Sequence, residues 1–246
     1  MHSPFKAKRE LLADAEALSR RVADWILDIA IATTDDVAIC LSGGSTPRRL
    51  YECLAESRYR DAFPWARMHW FWGDERFVPR DDAMSNYRMA RDALLSHAPI
   101  PPDHIHPIPT EDMSPDAAAS AYERELQFFY RETSLDPARP LFDVMLLGLG
   151  PDGHVASLFP NTAALTERDH WVAAVVGAKA EARITLTYPV INSSRHAAFL
   201  VVGKEKQKIL SRFCLGDESL PATYVRPIGK LWIFADMAAA EAAGNL

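Results

Sequence analysis

Residues 142–160 read FDVMLLGLGPDGHVASLFP. An apolar run, Val144-Met145-Leu146-Leu147, stops at Gly148, and Asp152 and His154 follow at once. A short apolar run closed by glycine is the pattern of a fully buried strand. Open α/β sheets gather their ligands outside the C-terminal ends of such strands. The loop after Leu147 is therefore the expected centre of a functional site.

Working outward, the same style repeats. Val37-Ala38-Ile39-Cys40-Leu41 is a buried strand that runs into Ser42-Gly43-Gly44-Ser45-Thr46-Pro47 and then a helix from Arg48 to about Ser57. Pro47 suits a first helical position, where no N–H partner is lost. Ser45 or Thr46 would then cap the helix. A strand, a glycine turn with hydroxyls and a helix N-terminus together offer free N–H groups and a positive dipole to an anion. An ordinary strand-to-helix turn is the plainer alternative. Met68–Trp72 (MHWFW) is a further strand, ending in Gly73-Asp74-Glu75-Arg76, with Ser85-Asn86 opening a helix to about His97. The plain reading of that charged cluster is a solvated loop with a surface ion pair.

The remaining segments alternate likewise. Apolar residues at Leu11, Ala15, Leu18, Val22, Ile26 and Ile29 predict one amphipathic helix from about Lys6 to Ala32. Ser114-Pro115 caps a helix to about Thr133; Trp171–Val176, Ile184–Leu186, Ala197–Val202 and Leu231–Phe234 are short apolar runs; Lys204–Cys214 is helical, and an alanine-rich helix ends the chain. Strands alternating with helices predict an α/β fold, a doubly wound, largely parallel sheet with helices on both faces. No linker or repeat interrupts residues 1–246, which predicts a single domain.

Composition excludes several functions. The formal net charge of −6 argues against a nucleic-acid binder. An anionic small substrate would need Arg and Lys concentrated locally. Cys40, Cys53 and Cys214 have neither CxxC nor zinc-type spacing, and no apolar leader or span is present, so a reduced, cytoplasmic protein away from membranes is expected. His104 and His106 would share one side of a short strand, but no third metal ligand lies near them. Two partly exposed histidines are the favoured reading, and no metal site is expected.

Gly148-Leu149-Gly150-Pro151-Asp152-Gly153 fits the G-x-G-x-x-G turn of dinucleotide sites. Asp152 would set a carboxylate against the pyrophosphate, and Pro151 removes an N–H that such a turn needs. Asp169, at the spacing of a ribose-binding acid, precedes a strand rather than ending one. Asp152 beside His154 suits different chemistry: a histidine that exchanges protons near neutral pH, oriented by a carboxylate. No G-x-S-x-G elbow supports a serine hydrolase.

Six stretches together carry a resemblance: LSGGSTPRRLY at 41–51, WGDERFVPRDDAMSNYRMARDALL at 72–95, GLGPDGHVASLFP at 148–160, RITLTYPVIN at 183–192, VVGKEKQKIL at 201–210 and LPATYVRPIGKLWIFAD at 220–236. In this order they resemble the 6-phosphogluconolactonase family, within a wider group that includes glucosamine-6-phosphate deaminases. The resemblance implies hydrolysis of 6-phospho-D-glucono-1,5-lactone, a step of the oxidative pentose phosphate pathway, with no organic cofactor. It implies His154 as the base that activates water, Asp152 beside it, and Gly43, Gly44, Ser45 and Thr46 in the phosphate site. Arg76 and Lys204 are the implied cationic partners, Arg76 serving either phosphate or oxyanion; Arg183 and Arg88 also match family positions. Tyr188, where a smaller apolar residue is expected, and the short Gly229-Lys230 turn depart from the pattern.

Two rivals remain. A sugar-phosphate deaminase or isomerase shares the glycine turn and the Asp-Gly-His loop, but Arg76 followed by Ser85-Asn86-Tyr87 favours the lactonase. A sugar-phosphate sensor without turnover would need a spare DNA-binding segment, and none is seen. The only partner expected is the small sugar-phosphate lactone, and a monomer suffices for it.

Overall fold

The computed structural model describes residues 6–241. The chain opens with β1 (Ala7–Leu12), α1 (Ala15–Ala32), β2 (Val37–Leu41), α2 (Ser45–Leu54) and α3 (Ser57–Arg60). Next come β3 (Met68–Trp72), β4 (Asp74–Arg76), α4 (Asn86–Ala90), β5 (Ile105–His106) and α5 (Pro115–Tyr130). The second half holds β6 (Phe142–Leu147), β7 (Val172–Val175), β8 (Arg183–Leu186), α6 (Tyr188–Asn192) and β9 (Ser194–Val201). It ends with α7 (Gln207–Cys214), β10 (Lys230–Asp236) and α8 (Met237–Ala240), the alanine-rich helix; residues 242–246 of that expected helix lie outside the described residues.

Seven strands form one sheet in the order β1-β10-β9-β6-β2-β3-β5. All its pairings are parallel. The fold is thus the doubly wound α/β sheet expected from the alternation. β2 and most of β6 and β9 are buried along their length, as a sheet covered on both faces requires. From β2 the chain winds one way to β3 and β5, then returns to place β6 on the other side of β2. The boundary between β2 and β6 is therefore the topological switch point, where the C-terminal ends of two neighbouring strands send their loops apart and leave a crevice.

The structure also differs from the sequence reading. Instead of one helix from Lys6, the chain forms β1 and then α1. Asp14 sets the division: its carboxylate accepts from Ala17 N–H at 2.8 Å, capping α1. The residues before it pair in parallel with β10, Ala7 opposite Leu231. From Leu18 onward the helical spacing holds, and Leu18, Val22, Ile26 and Ala30 are buried. A second sheet, β4-β8-β7, is antiparallel; the apolar runs Trp171–Val176 and Ile184–Leu186 mark two of its strands, but β4, three charged residues long, was not legible as their partner. Tyr188 fits without disruption: its ring is buried and its hydroxyl donates to Pro221 O at 2.8 Å.

His104 and His106 are joined by His69 of β3. His69 Nδ1 and His106 Nε2 lie 3.0 Å apart, His106 Nδ1 meets Glu125 Oε1 at 2.7 Å, and the His69 and His104 rings stack with centroids 3.9 Å apart. The pair is partly exposed, as expected, and is packed with His69 into a cluster at the sheet edge. Among the described residues no group of three or more ligating side chains is arranged to hold a metal ion. The three cysteines are free, Cys40 and Cys53 being buried. Among the described residues no helix is long and apolar enough to cross a membrane.

Candidate active site

A cavity of about 250 Å³ opens at the switch point, lined on one side by Ser42–Pro47 and on the other by Gly148–Pro151 and His154. Asp74, Arg76 and Asn86 close a third side, and Lys206 a fourth.

The first wall is the N-terminus of α2. Gly44, at φ +108°, is the N-cap and supplies no side chain, so Ser45 and Thr46 lie inside the first turn and cap nothing. This differs from the expected capping role and leaves both hydroxyls, with the N–H groups of the first turn, available to an anion. Pro47 falls later in that turn, where it again removes an N–H that has no helical partner. Gly43 is required by close approach: a Cβ there would stand 2.0 Å from Asn86 Oδ1.

The second wall is the loop that follows β6. Gly153 N–H donates to Gly150 O at 3.0 Å and Gly150 N–H to His154 O at 2.9 Å, which folds the loop back on itself. No helix follows; the first helical turn after it is Ala163–Leu165. The loop therefore lacks the helix N-terminus that a dinucleotide turn requires. Instead Asp152 Oδ1 accepts from His154 N–H at 3.2 Å and lies 2.5 Å from the ring Nδ1. Burial pulls the Asp152 pKa upward, but the hydrogen bonds from the His154 ring and backbone outweigh it and hold the carboxyl below its ordinary value. The carboxylate fixes Nδ1 as the donor, so Nε2 is the nitrogen left with a lone pair. The ring is further held by Phe159, with centroids 4.7 Å apart. Asp152 itself stands behind the imidazole rather than on the cavity wall.

The charged cluster after β3 is not the solvated ion pair of the plain reading. Glu75 is 2% exposed and accepts from the N–H groups of Arg76, Asn86 and Tyr87 and from the Ser85 hydroxyl. Burial raises its pKa against those bonds. Because side chains alternate along a strand, burying Glu75 turns Asp74 and Arg76 the other way, and both line the cavity. Arg76 Nη1 is anchored on Met84 O at 2.5 Å, which leaves its other N–H groups for a ligand.

Of the remaining sequence candidates, three lie elsewhere. Lys204 is exposed and outside the lining; Lys206 lines it instead, with Nζ donating to Leu149 O at 2.7 Å. Residues 204–206 form a 3₁₀ turn, so a separation of two positions sends the two ammonium groups in different directions. Arg88 Nη1 donates to Asp81 O at 2.6 Å and its Nε approaches Asp92 at 3.5 Å. Arg183 Nη1 donates to Glu181 O at 2.8 Å, although its backbone pairs in register with that of Arg76. The sequence reading missed Asp74, Asn86 and Lys206 as wall residues. The alternation of β4 around an acidic pair was the one available signal, and it says nothing about which face is buried.

The family model described as glucosamine-6-phosphate isomerases/6-phosphogluconolactonase matches residues 13–233. The chain belongs to that family. It is 42% identical over 245 residues to a 6-phosphogluconolactonase of Nostoc sp., covering 96% of this chain and 99% of that one. The crystal structure of 6-phosphogluconolactonase from Thermotoga maritima superposes with a TM-score of 0.80 at 35% identity, over 94% of this chain and all (100%) of the other. A monomeric glucosamine-6-phosphate deaminase also reaches a TM-score of 0.80, over 96% of this chain and 99% of that chain, but at 20% identity, a likeness of fold alone.

Proposed function

We propose that this chain hydrolyses 6-phospho-D-glucono-1,5-lactone to 6-phospho-D-gluconate, the second step of the oxidative pentose phosphate pathway, with His154 as general base. The observation that carries the mechanism is the pairing of Asp152 with Nδ1 of His154 on a loop that faces a helix N-terminus across one cavity.

The phosphate is held by the first turn of α2, the Ser45 and Thr46 hydroxyls, Arg76 and Lys206, the last taking the part the resemblance gave to Lys204. Phosphate is a remote handle, so its binding energy serves to place the lactone carbonyl near His154. Nε2 removes a proton from water, and the resulting hydroxide adds to C1. The tetrahedral oxyanion is stabilised by the N–H donors of the site. Its collapse breaks the bond from C1 to the ring oxygen, and the imidazolium returns its proton to that oxygen. A lactone is an activated ester, so one positioned base suffices without a covalent nucleophile. The same proposal treats residues 1–246 as one catalytic domain acting in the cytoplasm on this single small substrate.

The test is hydrolysis of freshly made lactone, followed by acid release in a pH-stat and corrected for the spontaneous rate. His154→Ala is expected to lower kcat by roughly 10²–10⁴-fold, while calorimetry still detects 6-phosphogluconate binding. Turnover at the wild-type rate in that variant removes His154 from the mechanism.

A further inference from the structure

Asp74 is the one carboxylate among the residues lining a cavity whose other charged walls are Arg76 and Lys206. Among the described residues it makes no ion pair, although Arg76 is two positions away. Instead it is held by neutral donors. Ser157 Oγ donates to Asp74 Oδ2 at 2.6 Å, and Asn86 Nδ2 donates to Asp74 O at 2.9 Å. Ser157 is 1% exposed, and its backbone N–H donates to Thr185 Oγ1 at 3.1 Å, Thr185 being fully buried. The residue before it, Ala156, sits at φ +49°, a left-handed conformation that a side chain adopts only under constraint. Ser157, itself held by Thr185 of β8, thus orients the carboxylate through Oδ2, while Asn86 holds the Asp74 main chain and Oδ1 is left unclaimed.

A fixed anion beside a phosphate site weakens phosphate binding through like-charge repulsion. Its presence therefore calls for a second part of the ligand that gains from it. On the proposed function, on which this inference rests, that part is the hydroxylated lactone ring. Its hydroxyls are donors, and a carboxylate is an acceptor only. The reaction also changes the charge at that end of the molecule, because the neutral ester becomes a carboxylate on the carbon next to the hydroxyl-bearing ones. The phosphate is the same before and after, so discrimination between substrate and product must come from wall groups that meet the rest of the ligand, and Asp74 is the one carboxylate among them.

We propose that Asp74, oriented by Ser157, selects the hydroxylated ring of the substrate and drives out the carboxylate product. Asp74 sets specificity and product release; Ser157 is a positioning residue. One acidic wall then gives the site two properties, a preferred orientation for the lactone and weak retention of 6-phosphogluconate.

Calorimetry with two probes, inorganic phosphate and 6-phosphogluconate, separates the phosphate contribution from that of the rest of the ligand. Asp74→Asn keeps the size and removes the charge. Its 6-phosphogluconate affinity is expected to rise about tenfold more than its phosphate affinity, with KM for the lactone rising severalfold. If both affinities move together, or the product binds no more tightly, the proposal falls. Ser157→Ala retains the charge but frees the carboxylate; it is expected to raise KM severalfold while leaving the ratio of the two affinities at the wild-type value. An unchanged KM in Ser157→Ala overturns the positioning role. The binding ratios do not need turnover, so a wild-type protein that fails to hydrolyse the lactone refutes the proposed reaction without deciding the fate of Asp74.

Discussion

Ser42–Pro47 after β2 and Gly148–His154 after β6 are both glycine turns at strand ends, and each omits a side chain so that another can take its place. In the first, the space beside Gly43 is filled by Asn86, which arrives from α4; in the second, the space beside Gly150 is filled by the ring of His154, four residues on in the same loop. One turn is thus completed by a distant element and the other by itself. The distinction follows the chemistry. An anion site built of backbone N–H groups needs no particular side chain of its own, but it needs neighbours that hold it open. A base must be aimed, and local hydrogen bonds to Asp152 do that within a few residues.

The sharpest way to break this comparison is to fill both spaces. In Gly150→Ala the new Cβ would stand 2.1 Å from His154 Nδ1, so the imidazole must leave its place against Asp152. A displacement of this kind is expected to cost roughly 10²-fold in kcat, with 6-phosphogluconate affinity close to wild type. Gly43→Ala, whose Cβ would meet the Asn86 amide at 2.0 Å, disturbs the other wall. There the expected change is in KM, about tenfold upward, with kcat changed less. Steady-state kinetics of the two variants side by side decide the matter. If both lower kcat alike, the turns do not divide binding from proton transfer.

The same contrast explains what could be read from the sequence. The strand ending at Leu147, the glycine loop and the Asp152–His154 pair are all local, and all were legible. So was the parallel sheet, because buried strands and amphipathic helices each carry their own period. Asn86, Asp74 and Lys206 reach the cavity through tertiary placement, and no spacing in the sequence distinguishes them. Lys206 is the plainest case. The stretch Val201–Leu210 offers three lysines, and only the 3₁₀ turn at Lys204–Lys206 decides which ammonium meets Leu149 O. The boundary between β1 and α1 failed for a related reason: Leu11 and Ala15 keep helical spacing across a capping aspartate that ends the pattern.

A smaller effect sharpens the first wall. Lys206→Met should raise KM about tenfold by removing a charge-assisted contact to phosphate, while Lys204→Met leaves both kinetic constants near wild type. Equal effects in the two variants would show that the 3₁₀ turn does not sort the lysines.

The smallest effect on turnover comes from the opposite end of β3, whose C-terminal end leads into Asp74. There His69 is pushed down to about 4 by burial, with His104 and His106 adding to the shift. Its side chain is 12% exposed and stacked in the edge cluster, so the fold requires it neutral. Between the ordinary histidine value of about 6.5 and this lowered one, the unfolded chain binds a proton that the folded chain refuses. Stability from this group is therefore complete above about pH 6.5, is lost as pH falls towards 4, and is constant below that. Each unit of difference is worth about 1.4 kcal/mol, and partial solvent access reduces the total to about 2 kcal/mol. Urea unfolding at pH 7 and pH 4.5 should show the wild type losing more stability than His69→Gln by about that amount, while kcat at pH 7 is the same in both. Parallel losses would mean that the cluster accepts the charge, and that the two ends of β3 do not differ in their tolerance of it.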